Sequence, residues 1–120
     1  MNVCYPVETE QGSKNALHGH FRLSPRFIIY NTETSAVHSV ENQFKKKVHD
    51  IEVPLKSLRA MSVAAAIVGG VAKCDLKKIN SYGIRVFQAT MSNMEDNFKA
   101  LKNGELIELT QDNIHRGQPC

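Results

Sequence analysis

The order of apolar and polar residues changes its period part-way along this chain, from strand-like spacing in the first third to helical spacing between strands in the rest. Val3, Tyr5 and Val7 alternate with Cys4 and Pro6, so both faces of the first segment are apolar, as in a strand buried inside a sheet. A polar loop runs from Glu8 to Asn15. Phe27, Ile28, Ile29 and Tyr30 form a second apolar run and Ala36 to Val40 a third; the polar Asn31-Thr32-Glu33-Thr34-Ser35 between them predicts an antiparallel hairpin. Residues 42–50 are polar and expected to be flexible. Pro54 then suits a first helical turn, followed by Leu55, Leu58 and Met61 at helical spacing.

The run Val63–Val68 ends in Gly69-Gly70, is too short for a buried helix, and is bounded like a central parallel strand. A helix should start just after it, with Ala72, Leu76, Ile79 and Tyr82 as its apolar stripe and Gly83 at the position after its end. Ile84 to Phe87 reads as the next strand. Ser92-Asn93-Met94-Glu95 has the form of a capping box opening a third helix, whose Met94, Phe98 and Leu101 share a face and which closes at Gly104.

The predicted order is β-β-β-α-β-α-β-α, a hairpin-bearing first half followed by two right-handed crossovers. If the hairpin extends one side of the first strand and the later strands extend the other, the sheet order is 3-2-1-4-5, with strand 2 antiparallel to the rest. The order reverses between strands 1 and 4. Ligands of open α/β sheets bind outside the carboxyl ends of the strands at such a point, which here joins the loop after Val7 to Gly69-Gly70-Val71-Ala72.

Composition narrows the class. The chain has 120 residues, 42% of them hydrophobic, with a net charge of +3, which fits one domain without the cationic excess of a dedicated nucleic-acid binder. Residues 1–110 are expected to form the domain and 111–120 a disordered tail. Lys45-Lys46-Lys47 reads as a solvated connection. No apolar run approaches the roughly 20 residues that cross a bilayer, and no leader is evident, so a soluble cytoplasmic protein is expected. The three cysteines, Cys4, Cys74 and Cys120, have no CxxC spacing and are expected to be reduced.

The chemistry concentrates in His18-Gly19-His20-Phe21-Arg22, on the predicted loop after strand 1. Two imidazoles near a guanidinium offer ligands to a soft metal and a cation to an anion. His20 and His18 are the candidate metal ligands. Cys74 joins them, because the first turn of a helix favours a thiolate. Arg26 is a second source of positive charge. His115 and Cys120 in the tail could add soft donors, and Met91 and Met94 could border the crevice. Gly69, Gly70 and Val71 would present backbone N–H groups at a helix start. Ser24 has histidines nearby in sequence, but without an orienting acid no hydrolytic triad is apparent.

His20-Phe21-x-x-Ser24-Pro25-x-Phe27, the strand ending in Gly69-Gly70, Gly83-Ile84-x-Val86, Glu95-Asp96 and Gly104-x-Leu106 together resemble the dinitrogenase iron–molybdenum cofactor biosynthesis family. That family comprises the NifX-like accessory proteins, the C-terminal part of NifB-type proteins and the orange protein. The resemblance covers residues 2–108. It implies a three-layer α/β/α ribonuclease H-like fold and noncovalent binding of an iron–molybdenum cofactor precursor or related molybdenum or iron–sulfur cluster. It also implies a role in nitrogen fixation, with nitrogenase or cofactor-assembly proteins as partners, and no turnover. Its site residues would be His20, Phe21, Arg22, Gly69, Gly70 and Val71. The chain departs from the usual pattern at Arg22 and Leu23, where a glycine and a basic residue are common, and at Ala72, where a glycine is common.

A metal-dependent nuclease would need carboxylates over the sheet, including one in the first strand, and Val3-Cys4-Tyr5-Pro6-Val7 has none. The alternative to a cluster carrier is a small-molecule or phosphate-binding regulatory module using the same glycine turn. The expected protein is not an enzyme, binds neither nucleic acid nor membrane, and is a monomer or weak homo-oligomer.

Overall fold

The computed structural model describes residues 1–7, 21, 24–42, 51–90 and 93–114, apart from the side chains of residues 52 and 53. The elements follow the expected order: β1 (Asn2–Val7), β2 (Arg26–Asn31), β3 (Val37–Glu41), α1 (Glu52–Ala60), β4 (Val63–Val68), α2 (Lys73–Ser81), β5 (Arg85–Gln88) and α3 (Met94–Lys102). They build a five-stranded mixed sheet of order β3-β2-β1-β4-β5. β1 pairs antiparallel with β2 and parallel with β4, and β4 pairs parallel with β5.

The alternation in β1 explains the layers. Cys4 faces a core that holds Leu55 and Leu58 of α1 with Leu76 and Ile79 of α2. Val3, Tyr5 and Val7 face a second core with Met94 and Phe98 of α3. Helices therefore cover both faces, which is why the strands are apolar on both sides. On the α3 side the Phe98 ring stacks on Tyr30 at 4.4 Å and meets Tyr5 edge-on at 5.5 Å. Beside them the fully buried Asn97 donates to the Tyr5 hydroxyl at 3.1 Å and to the Asn93 carbonyl at 3.0 Å, while its Oδ1 accepts from the Thr90 N–H at 3.3 Å.

Pro6 stands inside a central strand, where a missing N–H ordinarily costs a ladder bond. The Thr32 N–H donates to the Met1 carbonyl, and bonded pairs alternate along an antiparallel ladder. Val3, Tyr5 and Val7 thus turn their backbone groups to β2, and Asn2, Cys4 and Pro6 turn theirs to β4. The parallel ladder with β4 ends at Cys4. The absent donor of Pro6 falls where the two strands part, at the carboxyl end of the sheet.

Helix limits differ in small ways from the periodicity. Met61 is the residue after α1 rather than part of its stripe. α3 is capped by Asn93, whose side chain accepts from the Asp96 N–H at 2.9 Å and donates to the Asp96 carboxylate at 3.1 Å. The cap sits one residue later than the expected Ser92, which with Met91 lies outside the described residues; Asn and Ser serve equally at this position. Gly83 and Gly104, at φ +77 and +71, end α2 and α3 as expected.

The two sheet edges are unlike. Residues 106–109 run antiparallel beside β5: the Gln88 N–H donates to the Ile107 carbonyl at 2.9 Å and the Leu109 N–H to the Val86 carbonyl at 2.7 Å. Arg85 clamps this segment through two bonds to the Glu108 carboxylate, at 2.7 and 3.1 Å. β3 has β2 on one side and, among the described residues, no strand on the other.

Candidate functional site

The chain ends its β4 strand in Gly69-Gly70, at the carboxyl end of the sheet, and α2 starts three residues later. Neither glycine has a positive φ. The conformation there does not call for glycine; what the pair supplies is the absence of Cβ atoms beside open space. A cavity of about 370 Å³ lies against them, lined by Gly69, Gly70, Val71, Gln88, Leu109, Asn113 and Ile114. That volume falls at the lower end of the range for small-ligand sites.

Gln88 shapes the floor. Its side-chain amide donates to the carbonyls of Gly69 at 3.1 Å and of Val68 at 3.3 Å, so the turn is held from the neighbouring strand. The opposite wall comes from the segment beyond β5. Asn113 accepts from the Thr110 N–H at 2.7 Å and donates to the Glu108 carbonyl at 2.8 Å, closing a turn that sets Leu109 and Ile114 against the α1/α2 core. Gln111 reaches the Lys73 carbonyl at 3.5 Å. Residues 111–114, assigned to the tail from composition, thus form part of a wall, while His115 and Cys120 lie outside the described residues.

The turn into α2 combines a helix N-terminus with a buried acid. Ala72 precedes α2 in an extended conformation and contributes no side-chain cap, leaving the first-turn N–H groups to be satisfied otherwise. Asp75 is the acidic residue of that turn and is buried. Among the described residues no cluster of three or more His, Cys, Asp or Glu could hold a metal ion. The described wall therefore offers backbone, amide and apolar groups.

Of the residues singled out from sequence, Gly69, Gly70 and Val71 line this cavity. Phe21 is buried in the α1/α2 core with its ring 5.2 Å from Phe27, so its side chain anchors the end of the loop. Ser24, also buried, donates its hydroxyl toward the Val7 and Arg26 carbonyls at 3.1 and 2.6 Å, tying the end of β1 to the start of β2. Arg26 is engaged with the Ser39 hydroxyl at 2.9 and 3.0 Å. Met94 is buried in the α3 core. His18, His20 and Arg22 lie outside the described residues. Burial pushes the Cys4 thiol well above its ordinary range, and that thiol is free. Cys74 is disulfide-bonded, which corrects the expectation of a reduced thiol at that position, while the free thiol among the described residues is the one sealed inside β1.

Gln88, Leu109, Asn113 and Ile114 were not anticipated. A signal for them exists in Leu106-Ile107-Glu108-Leu109 followed by Thr110-Gln111-Asp112-Asn113, a short apolar run and then turn residues.

The family described as dinitrogenase iron-molybdenum cofactor matches this chain over residues 1–104. The chain belongs to the dinitrogenase iron–molybdenum cofactor family. Solved structures agree with its architecture. A Thermotoga protein named as a candidate NifB protein is 26% identical, with 97% of this chain and 98% of that one covered and a TM-score of 0.69. The apo form of the orange protein from Desulfovibrio gigas shares the fold at a TM-score of 0.78 and 16% identity, over 90% of this chain and 92% of that one. A protein of Methanocaldococcus jannaschii named as a candidate dinitrogenase does so at 0.71 and 17%, over 92% and 95%. No curated protein matches. In this member of the dinitrogenase iron–molybdenum cofactor family, no helix among the described residues is long and apolar enough to cross a membrane.

Proposed function

We propose that this chain binds and carries an iron–molybdenum cofactor precursor, or a related metal–sulfur cluster, without turning it over. The observation that supports this reading most is the cavity built on Gly69, Gly70 and Val71 in the turn that leads into α2, in a chain of the iron–molybdenum cofactor family. Metal–sulfur precursors are anionic and polarizable. Backbone N–H groups and the positive end of a helix suit the charge, and imidazole suits the metal. In this reading His20, with His18, supplies the metal ligand and Arg22 the cation. Phe21 and Ser24 hold the ends of the loop that carries them. Cys74 becomes a ligand only after its disulfide is reduced. Delivery to nitrogenase or to cofactor-assembly proteins in the cytoplasm is the role that fits such a carrier.

The test is anaerobic reconstitution with iron–molybdenum cofactor precursor, or with tetrathiomolybdate plus copper, followed by desalting, visible absorption and metal analysis. Wild-type protein should leave the column coloured and with stoichiometric metal, and His20→Ala should lose most of both. A colourless, metal-free wild type refutes the proposal.

A further inference from the structure

The cavity at the end of β4 is built from two stretches of chain with different standing. Gly69, Gly70, Val71 and Gln88 lie inside residues 1–104, the part matched by the family, whereas Leu109, Asn113 and Ile114 lie beyond it. The family's pattern therefore accounts for the floor and not for the wall. The wall is nonetheless firmly held. Backbone bonds to β5 and the Arg85–Glu108 clamp fix residues 106–109. Beyond them the Asn113 and Ile114 N–H groups both donate to the Thr110 carbonyl, at 3.2 and 3.1 Å, and Leu109 and Ile114 pack against the α1/α2 core. These side chains move aside only if several bonds break together, so the volume of about 370 Å³ is a property of the fold.

The lining narrows the cargo further. Among the described residues no charged side chain lines the cavity. Gln88 directs its amide hydrogens to the carbonyls of Val68, Gly69 and Ala89, and Asn113 is committed to Thr110 and Glu108. An oxyanion or carboxylate pressed against this wall loses hydration and gains no side-chain donor in return. Sulfide is soft and polarizable, so its contact with Val71, Leu109 and Ile114 costs less. We propose that Leu109, Asn113 and Ile114 determine cargo specificity, admitting a compact all-sulfide anion and refusing a bulkier cluster of the same charge. This rests on the cluster-carrier reading and adds to it the size and surface chemistry of the cargo.

The experiment is anaerobic equilibrium dialysis with metal analysis, using three dianions: tetrathiomolybdate, molybdate and a thiolate-capped iron–sulfur cubane. Wild type should hold tetrathiomolybdate at least about tenfold more tightly than either of the others. Leu109→Ala/Ile114→Ala, which widens the cavity, should bring the cubane to within about threefold of tetrathiomolybdate. Glu108→Gln loosens the wall from its solvent side and leaves the lining and the core intact. It should move the same ratio in the same direction, and it decides the matter if the double variant does not fold. Residues that only stabilise the fold would weaken all three probes alike and leave the ratio unchanged. A wild type that holds no probe overturns this proposal together with the carrier reading. A wild type that holds tetrathiomolybdate, but with a ratio that neither variant moves, or that holds molybdate or the cubane equally well, overturns this proposal alone.

Discussion

The Tyr5–Asn97 contact joins the middle of β1 to α3 inside a core where both residues are fully buried, so it yields a quantitative prediction. Tyr5→Phe keeps the ring against Phe98 and removes one hydroxyl. The lost bond is worth about 1 kcal/mol net, and the stranded Asn97 hydrogen keeps the value near the upper part of the usual range. Asn97→Ala does more. It leaves the Tyr5 hydroxyl and the Thr90 N–H without a partner that the native chain supplies and opens a small void, for a total of about 2–4 kcal/mol. Urea unfolding followed by circular dichroism should show both as shifts in midpoint with unchanged slope, and thermal melts should fall by roughly 4 °C per kcal/mol. In the double variant the hydroxyl is already gone when the amide is removed, so the two effects should fall short of additive by about 1 kcal/mol. Strict additivity, or a neutral Tyr5→Phe, would show that the bond does not join the two layers.

Two further outcomes follow from the cavity and its wall. Gly70→Val places a branched side chain where the floor has none, and should abolish retention of tetrathiomolybdate with copper while shifting Tm by less than about 4 °C, equivalent to about 1 kcal/mol; retention of the chromophore would separate the cavity from binding. Arg85, through its hydrogen bonds, holds the Glu108 carboxyl below its usual range, so the clamp is present above a carboxylate's ordinary pKa of about 4.3 and is lost as pH falls through the lowered value. Hydrogen exchange at the Gln88 and Leu109 amides should accelerate in that acid window before the core amides do, and Glu108→Gln should show the faster exchange already at neutral pH.

The sheet was legible because period and length decide it. The double-sided apolar β1, the short β4 run before two glycines and the Gly83 and Gly104 stops each allow one reading, and the crossover rule then orders the strands. The site was legible only in part. Gly69-Gly70 could be placed because a strand-to-helix turn at a switch point is a topological consequence. Leu109, Asn113 and Ile114 could not, because backbone bonds to β5 hold their segment and its sequence pattern is short. Phe21 reads more readily as a loop anchor than as a ligand wall, and its ring packs against Phe27 in the core. The disulfide at Cys74 lacked any spacing that would announce it.

The unlike edges of the sheet set a limit on self-association. Exposed strands recruit further strands, and a sheet with two open sides can grow without end. Here residues 106–109 occupy the β5 side, which leaves β3 as the remaining described edge. Two molecules joined through β3 would each have used that edge, so the product is a closed pair related by a two-fold axis rather than a fibre. Any pairing through β3 therefore stops at two, and release of the segment clamped by Arg85 would expose the second edge that longer assembly needs.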